Sequence, residues 1–222
     1  MAIGFNGTSD LARFRNSVII DITQSFTMAC WVYIRSTPSG SYHYFLAMED
    51  SDITASQWAI VGWGQDAWVL DNDQNVTEFS PQPTTGTWYH FFMRSVANNE
   101  VEAGFTSGST YTKVTATRGS DFDVGQISFG NDSWGEFVDC IIAYARVWTA
   151  ELSDSELLAE KSSATAVRTS NLLADWPLSN NTDNQDLTAN NSESDNSAVH
   201  TLAYAIIQST NSPQLSLPKD IC

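Results

Sequence analysis

The side chains that could carry chemistry in this chain are carboxylates, three histidines and a few tryptophans in turns. The densest carboxylate run is Glu49-Asp50-Ser51-Asp52, and Asp71-Asn72-Asp73 follows it. Carboxylates act as acid and nucleophile when alternation along a strand sets them on one face. Neither run has that spacing, and both read as solvated polar loops. Their oxygens are hard donors, so Asp50, Asp52, Asp71, Asn72 and Asp73 stand as candidate surface calcium ligands. The histidines are His43, His90 and His200. None is spaced with cysteine or another histidine as zinc requires. No Gly-x-Ser-x-Gly elbow, Ser/His/Asp set or Cys/His pair is supported by the pattern.

Recognition by a surface is the chemistry that remains. Trp63 and Trp68 flank one turn, and Trp134 lies in Gly130-Asn131-Asp132-Ser133-Trp134-Gly135. An indole offers a flat apolar platform to the C–H face of a sugar, while Asn and Asp bond its hydroxyls. Tyr42, His43 and Tyr44 follow another turn. The ligand-binding residues expected from sequence are therefore Tyr42, His43, Trp63, Trp68, Asn131, Asp132 and Trp134. The competing reading is that these rings plug the ends of the fold. Trp31, Trp88, Trp148 and Trp176 are assigned to the core, and Trp58 fits either place.

The elements that must position these residues are strands. Phe137 to Trp148 has no Gly or Pro, and both of its alternating sets are largely apolar. It predicts one long strand or two consecutive ones, covered on both faces. Leu152-Ser153-Asp154-Ser155-Glu156-Leu157 then carries a capping box, with Leu152 and Leu157 placed for a hydrophobic staple. A short helix is expected near 153–161. Upstream, strands are expected over 2–5, 11–14, 25–34, 42–48, 57–63, 67–70, 88–96, 101–106, 111–117 and 125–129, with Asn6-Gly7 and Asn98-Asn99 as turns. Many short strands and one late helix predict an all-β, two-sheet antiparallel jelly-roll sandwich.

The chain has 222 residues, 42% of them apolar, and eight are tryptophan, ample for a sizeable core. One sandwich is expected over 1–207. Within it, 162–207 returns to the sheets and 208–222 forms a tail that could dock on a partner. Acidic residues number 26 against 10 basic, a net charge of −16. So negative a surface repels phosphate backbones and anionic membranes, which argues against nucleic acid and membrane as partners. Met1-Ala2-Ile3-Gly4-Phe5 runs straight into domain sequence, without the basic start and apolar core of a secretory signal. Cys30, Cys140 and Cys222 make no disulfide framework. Cys30 and Cys140 read as buried free thiols, with a bridge between them as the alternative, and Cys222 as exposed.

Four stretches carry a resemblance. They are Phe5-Asn6-Gly7-Thr8-Ser9-Asp10, Ser25-Phe26-Thr27-Met28-Ala29-Cys30-Trp31-Val32, Gly86-Thr87-Trp88-Tyr89-His90, and Ile142-Ala143-Tyr144-Ala145-Arg146-Val147-Trp148 followed by Leu152-Ser153. In this order they resemble the laminin-G-like, concanavalin A-like jelly-roll domains over residues 3 to 160. Asn171 to Leu178 resembles the opening strand of many such modules and is expected to return beside the N-terminal strand. The resemblance implies a lectin-like module. It does not bring an enzyme's residues with it. The Glu-x-Asp-x-x-Glu run of glycosidases on this fold is missing, as are the Arg-x-Glu-x-Arg and Gln-x-His motifs of alginate-lyase relatives. His90 sits in the Trp-x-His motif as a buried, hydrogen-bonded strand residue. Many members hold calcium with an Asp where this chain has Ala143, and Asp139 is the nearest substitute. The expected function is a non-catalytic module binding glycan or protein surfaces through its loops, with no cofactor beyond calcium. A phage decoration or fibre protein, in an oligomer or larger particle, is the second reading. A polysaccharide-active enzyme is the third.

Overall fold

The computed structural model describes residues 2–8, 12–21, 25–40, 42–50, 58–64, 66–72, 75–96, 100–117, 123–132, 134–176 and 178. The first strands are β1 (Ile3–Asn6), β2 (Ala12–Asp21), β3 (Thr27–Ile34) and β4 (Tyr42–Asp50). Next come β5 (Trp58–Gly64), β6 (Ala67–Asn72), β7 (Asn75–Glu78) and β8 (Trp88–Val96). β9 (Glu100–Thr106), β10 (Thr112–Thr117), β11 (Asp123–Phe129) and β12 (Asp139–Trp148) follow. The helix α1 (Asp154–Lys161) and β13 (Leu172–Trp176) close the described chain. All strand pairs are antiparallel. One sheet runs β1-β12-β3-β8-β9-β10, with β13 also on β12, and the other runs β2-β11-β4-β5-β6-β7. This is the two-sheet jelly-roll sandwich expected from the strand pattern.

β12 is the hub. One of its edges pairs with β3 throughout. Its other edge takes β1 along residues 139–142 and β13 along 145–148, so the two ends of the described chain lie head to tail. Leu172 to Trp176 thus returns beside the N-terminal strand as its sequence suggested. The register of β12 breaks between Ala143 and Arg146, and Tyr144 there has a φ of 50°. An inserted residue reverses the alternation of everything after it. Cys140 and Ile142 face the core with Ala145 and Val147, whereas Arg146 and Trp148 turn outward with Ala143. Strict alternation would put Cys140, Ile142, Arg146 and Trp148 on one face, and the bulge is why it fails.

Other boundaries also move. The Asn6-Gly7 turn joins two sheets, not a hairpin, because β1 and β2 belong to different layers. Glu49 and Asp50 are the end of β4, not a loop. β7, over 75–78, is a strand that the sequence pattern did not mark. The helix agrees: Ser153 Oγ accepts from Glu156 N at 3.3 Å and Glu156 Oε2 accepts from Ser153 N at 2.8 Å. Leu152 and Leu157 are buried together against Trp148. Arg146 anchors α1 through Glu160 at 2.8 Å and β13 through Asp175 at 3.1 Å. Phe45, Phe79, Phe91 and Phe105 pack edge-on or tilted between the sheets. Cys30 and Cys140 are free and buried in that core. Residues 179–222, with Cys222, the end of the returning segment and the tail expected at 208–222, lie outside the described residues. So do Asp52, Asp73 and the Asn98-Asn99 turn.

Candidate functional site

The sandwich end where β4 begins and β5 finishes collects most of the residues singled out from sequence. His43 on β4 lies opposite Trp63 on β5, and Tyr42 lies opposite Gly64. The segment from Gly130 to Phe137, between β11 and β12, runs along the same stretch of β4. Gly130 N donates to Phe45 O at 3.1 Å and Tyr44 N donates to Glu136 O at 2.9 Å. His43 Nδ1 is 2.7 Å from Phe137 O, and its Nε2 is 3.0 Å from Ser39 O.

Two glycines let these chains approach. Gly130 has a φ of 78°, and a Cβ on it would lie 2.2 Å from the Phe5 ring. A Cβ on Gly62 would lie 2.3 Å from His43 O, where a break in the β4 register brings the strands close.

Asp132 organises the loop from within. It is fully buried, and its Oδ1 accepts from Trp134 N at 2.9 Å and Glu136 N at 3.2 Å. Burial, then Asp132, Asp71 and Glu49, raises the Glu136 carboxyl to about 8. Tyr44 Oη donates to Asp71 Oδ2 at 3.2 Å, and burial with the neighbouring carboxylates holds its phenol protonated. Glu49 is buried and accepts from Gln126 Nε2 at 2.5 Å and from Ser128 Oγ at 3.2 Å.

The aromatic residues divide. Trp134 is 49% exposed, while Tyr42 and Trp63 are half-buried at the rim. Tyr42 and Tyr44 rings lie 6.2 Å apart with planes 30° apart. Trp68 is corrected: it faces inward at 2% exposure, packed on Phe45, and supports Trp63 edge-on at 5.3 Å. The reason is phase, since Trp68 and Leu70 alternate into the core. Asn131 is buried, and neither its Oδ1 nor Trp63 Nε1 has a hydrogen-bond partner among the described residues. The sequence missed Glu136, Glu49 and Asp71 as neighbours because three separate elements bring them together. Trp31, Trp88, Trp148 and Trp176 are buried, as assigned.

Among the described residues the calcium candidates do not assemble. Ala143 is buried in an apolar cluster, and Asp139 is committed to Arg35 at 2.7 Å and to Ser36 Oγ. Asp71 and Asn72 point to opposite faces: Asp71 meets Tyr44, and Asn72 Nδ2 donates to Ala116 O. Among the described residues no three His, Cys, Asp or Glu side chains are placed to hold a metal ion. The residues at the expected position therefore do not fit calcium. His90 is buried, 2.6 Å from Tyr111 Oη through Nδ1, and its ring meets Trp31 edge-on. Burial, with Arg146 and Lys161 nearby, lowers it to about 3. It is a packed neutral residue, as its motif suggested. Among the described residues no helix is long and apolar enough to cross a membrane.

No protein-family model matches the chain, and no curated protein sequence matches it. Solved structures are similar to it. Domain 4 of AbnA, a GH43 extracellular arabinanase from Geobacillus stearothermophilus solved with arabinotriose, superposes with a TM-score of 0.54 at 17% identity, covering 72% of this chain and 75% of that one. A Bacteroides ovatus protein of proposed carbohydrate-binding function gives 0.56 at 14% identity, covering 79% of this chain and 51% of that one. The enzymatically active domain of bacteriophage CBA120 tailspike protein 2 gives 0.51 at 15% identity, covering 80% of this chain and 32% of that one. The chain thus spans about half of the second protein and a third of the third. At these identities the likeness establishes a shared β-sandwich fold.

Proposed function

We propose that this chain is a lectin-like recognition module of the laminin-G-like type that binds a glycan without converting it. The contact surface is the sandwich end formed by Tyr42, His43, Trp63 and the Gly130–Glu136 loop. One observation carries this reading. Tyr42, Trp63 and Trp134, half-buried or exposed, come from three separate segments at one end of the sandwich, Tyr42 with Tyr44 on one face of its sheet and Trp63 against the core on the other, while Asn131 and Asp132 of the Trp134 loop are buried. Rings that stack on sugar C–H faces are what a neutral glycan needs, and the half-buried Glu136 is the loop carboxyl within reach of its hydroxyls. That a similar domain was solved with arabinotriose supports looking to sugars first. Recognition without catalysis is supported by Glu49 and Asp71, which are sealed under their own hydrogen bonds.

A glycan array followed by fluorescence titration tests the proposal. Trp134→Ala should weaken the best ligand by about tenfold or more, as loss of an aromatic anchor does. Binding to no sugar on the array removes the carbohydrate reading, and product release from a polysaccharide removes the non-catalytic one.

A virion role, as a decoration or fibre component, is the second reading. The tailspike likeness and the net charge of −16 favour it. Light scattering separates the two: a stable oligomer that binds no sugar favours the particle, and a sugar-binding monomer favours the lectin.

A further inference from the structure

We propose that the Arg35 guanidinium is a built-in cation that takes the place of calcium in this sandwich. It clamps β1 to β12 through Asp139, the nearest substitute for the calcium ligand that the resemblance implies, so this edge closes without a metal. The clamp is independent of the recognition reading.

β1 is short and lies at the end of its sheet. It has four residues and pairs with β12 from Ile3 opposite Ile142 to Asn6 opposite Asp139. A strand so near a chain terminus frays unless it is tied down. Arg35, the residue after β3, supplies the tie. Its Nε lies 2.7 Å from Asp139 Oδ1, and its Nη2 donates to Phe5 O. Arg35 N also donates to Asp139 O at 3.1 Å, and Ser36 Oγ donates to Asp139 Oδ2 at 3.0 Å. Gly4 leaves room for the cation: a Cβ there would stand 3.7 Å from both Nη1 and Nη2. One planar cation thus joins the end of β3, the end of β1 and the start of β12.

The acceptors are the kind that calcium takes, a carboxylate and a main-chain carbonyl. Calcium needs about six to eight such oxygens, drawn close around it. Here the guanidinium already sits on both. Ile141 and Ala143, which follow Asp139 on the outer face of β12, belong to an apolar cluster and add no side-chain oxygen. A guanidinium suits the task, because its charge is permanent and its donors form a rigid fork. The Arg35 and Asp139 side chains are 29% and 34% exposed, so solvent and salt screen the pair. It is a local tie on one edge strand, not a support of the whole fold.

Two consequences separate this tie from a metal site. Removing divalent ions should leave β1 in place, because the cation is part of the chain. Removing the guanidinium should loosen β1 while β9, inside the same sheet, stays paired on both sides. Arg35 and Asp139 form one contact, so removing either breaks it, and removing the second adds little.

Amide hydrogen exchange of the whole chain, read by NMR, tests both. In the wild type the β1 amides should keep their protection in EGTA, and calcium should change it no more than magnesium does at the same millimolar concentration. Arg35→Met should lower β1 protection about fivefold, with the β9 amides as the unchanged control. Asp139→Asn should act in the same direction, and the double variant should fall little further than the larger single effect. β1 protection that drops in EGTA, or that rises with calcium and not with magnesium, shows a metal at this place and overturns the proposal. Unchanged β1 protection in Arg35→Met overturns it as well, and so does a double variant whose loss equals the product of the two single losses. The readout needs no ligand, so a glycan array without hits would remove the recognition reading and leave the clamp standing.

Discussion

Arg146→Met is the sharpest probe of how this sandwich is held closed. Arg146 is 2% exposed on the outer side of β12. It donates to Glu160 of α1 at 2.8 Å, to Asp175 of β13 at 3.1 Å, and to the carbonyls of Glu160 and Ser163. Methionine keeps much of the volume and removes the charge. Glu160, 1% exposed, is then left as a buried anion. Breaking such a pair from one side costs about 3–5 kcal/mol. Glu160 keeps backbone donors from Val167 at 3.0 Å and Arg168 at 2.6 Å, which favours the lower end, about 3 kcal/mol. For a domain of this size that is a fall of about 6–12 °C in Tm. Urea denaturation of the wild type, Arg146→Met, Glu160→Gln and the double variant completes a cycle. Glu160→Gln still accepts both backbone N–H groups, so in the Met background it should recover at least about 1 kcal/mol. A cost below about 1 kcal/mol for Arg146→Met, or strictly additive single costs, would refute the claim that one buried ion pair clamps α1 to the sheet.

Three further outcomes follow from the same contacts. Unfolded chain takes up a proton at His90 near 6.5, but folded chain only near 3. This contribution is complete above pH 6.5 and is lost with acid at about 1.4 kcal/mol per pH unit. His90→Phe should cost about 1 kcal/mol at pH 7 for the Tyr111 bond but flatten the acid limb, and urea midpoints at pH 7 and 4.5 would show it. Ser153→Ala removes the helix cap and should lower stability by about 1 kcal/mol, read by the same titration, with α1 amides exchanging faster. Gly62→Ala places a Cβ against His43 O, so it should cost about 1–3 kcal/mol and shift the NMR signals of His43 and Trp63 before those of β9.

The sequence by itself determined what depends on local order. Ser153 with Glu156 specifies a helix start wherever the pair occurs, because both bonds close within four residues. Strand alternation and turn residues determined that the chain is an all-β sandwich with a late helix. The resemblance of Asn171–Leu178 to an opening strand correctly returned it beside β1. Aromatic residues next to turns marked the sandwich end where Tyr42, His43, Trp63 and the Asp132 loop meet.

Tertiary structure decided the rest, because the deciding contacts join distant residues. A one-residue insertion at Tyr144 turned Arg146 and Trp148 outward, and alternation read along one strand does not reveal such a slip. Trp68 went inward because the phase of β6 is set by its partners. Glu49 passed from an expected loop to a buried strand end because Gln126 and Ser128, on another strand, satisfy its oxygens. Glu136 gained its neighbours from β4, β6 and the loop at once. Whether a carboxyl group is solvated, paired or forced to keep its proton is set by groups brought near by folding, and spacing along the chain does not encode that.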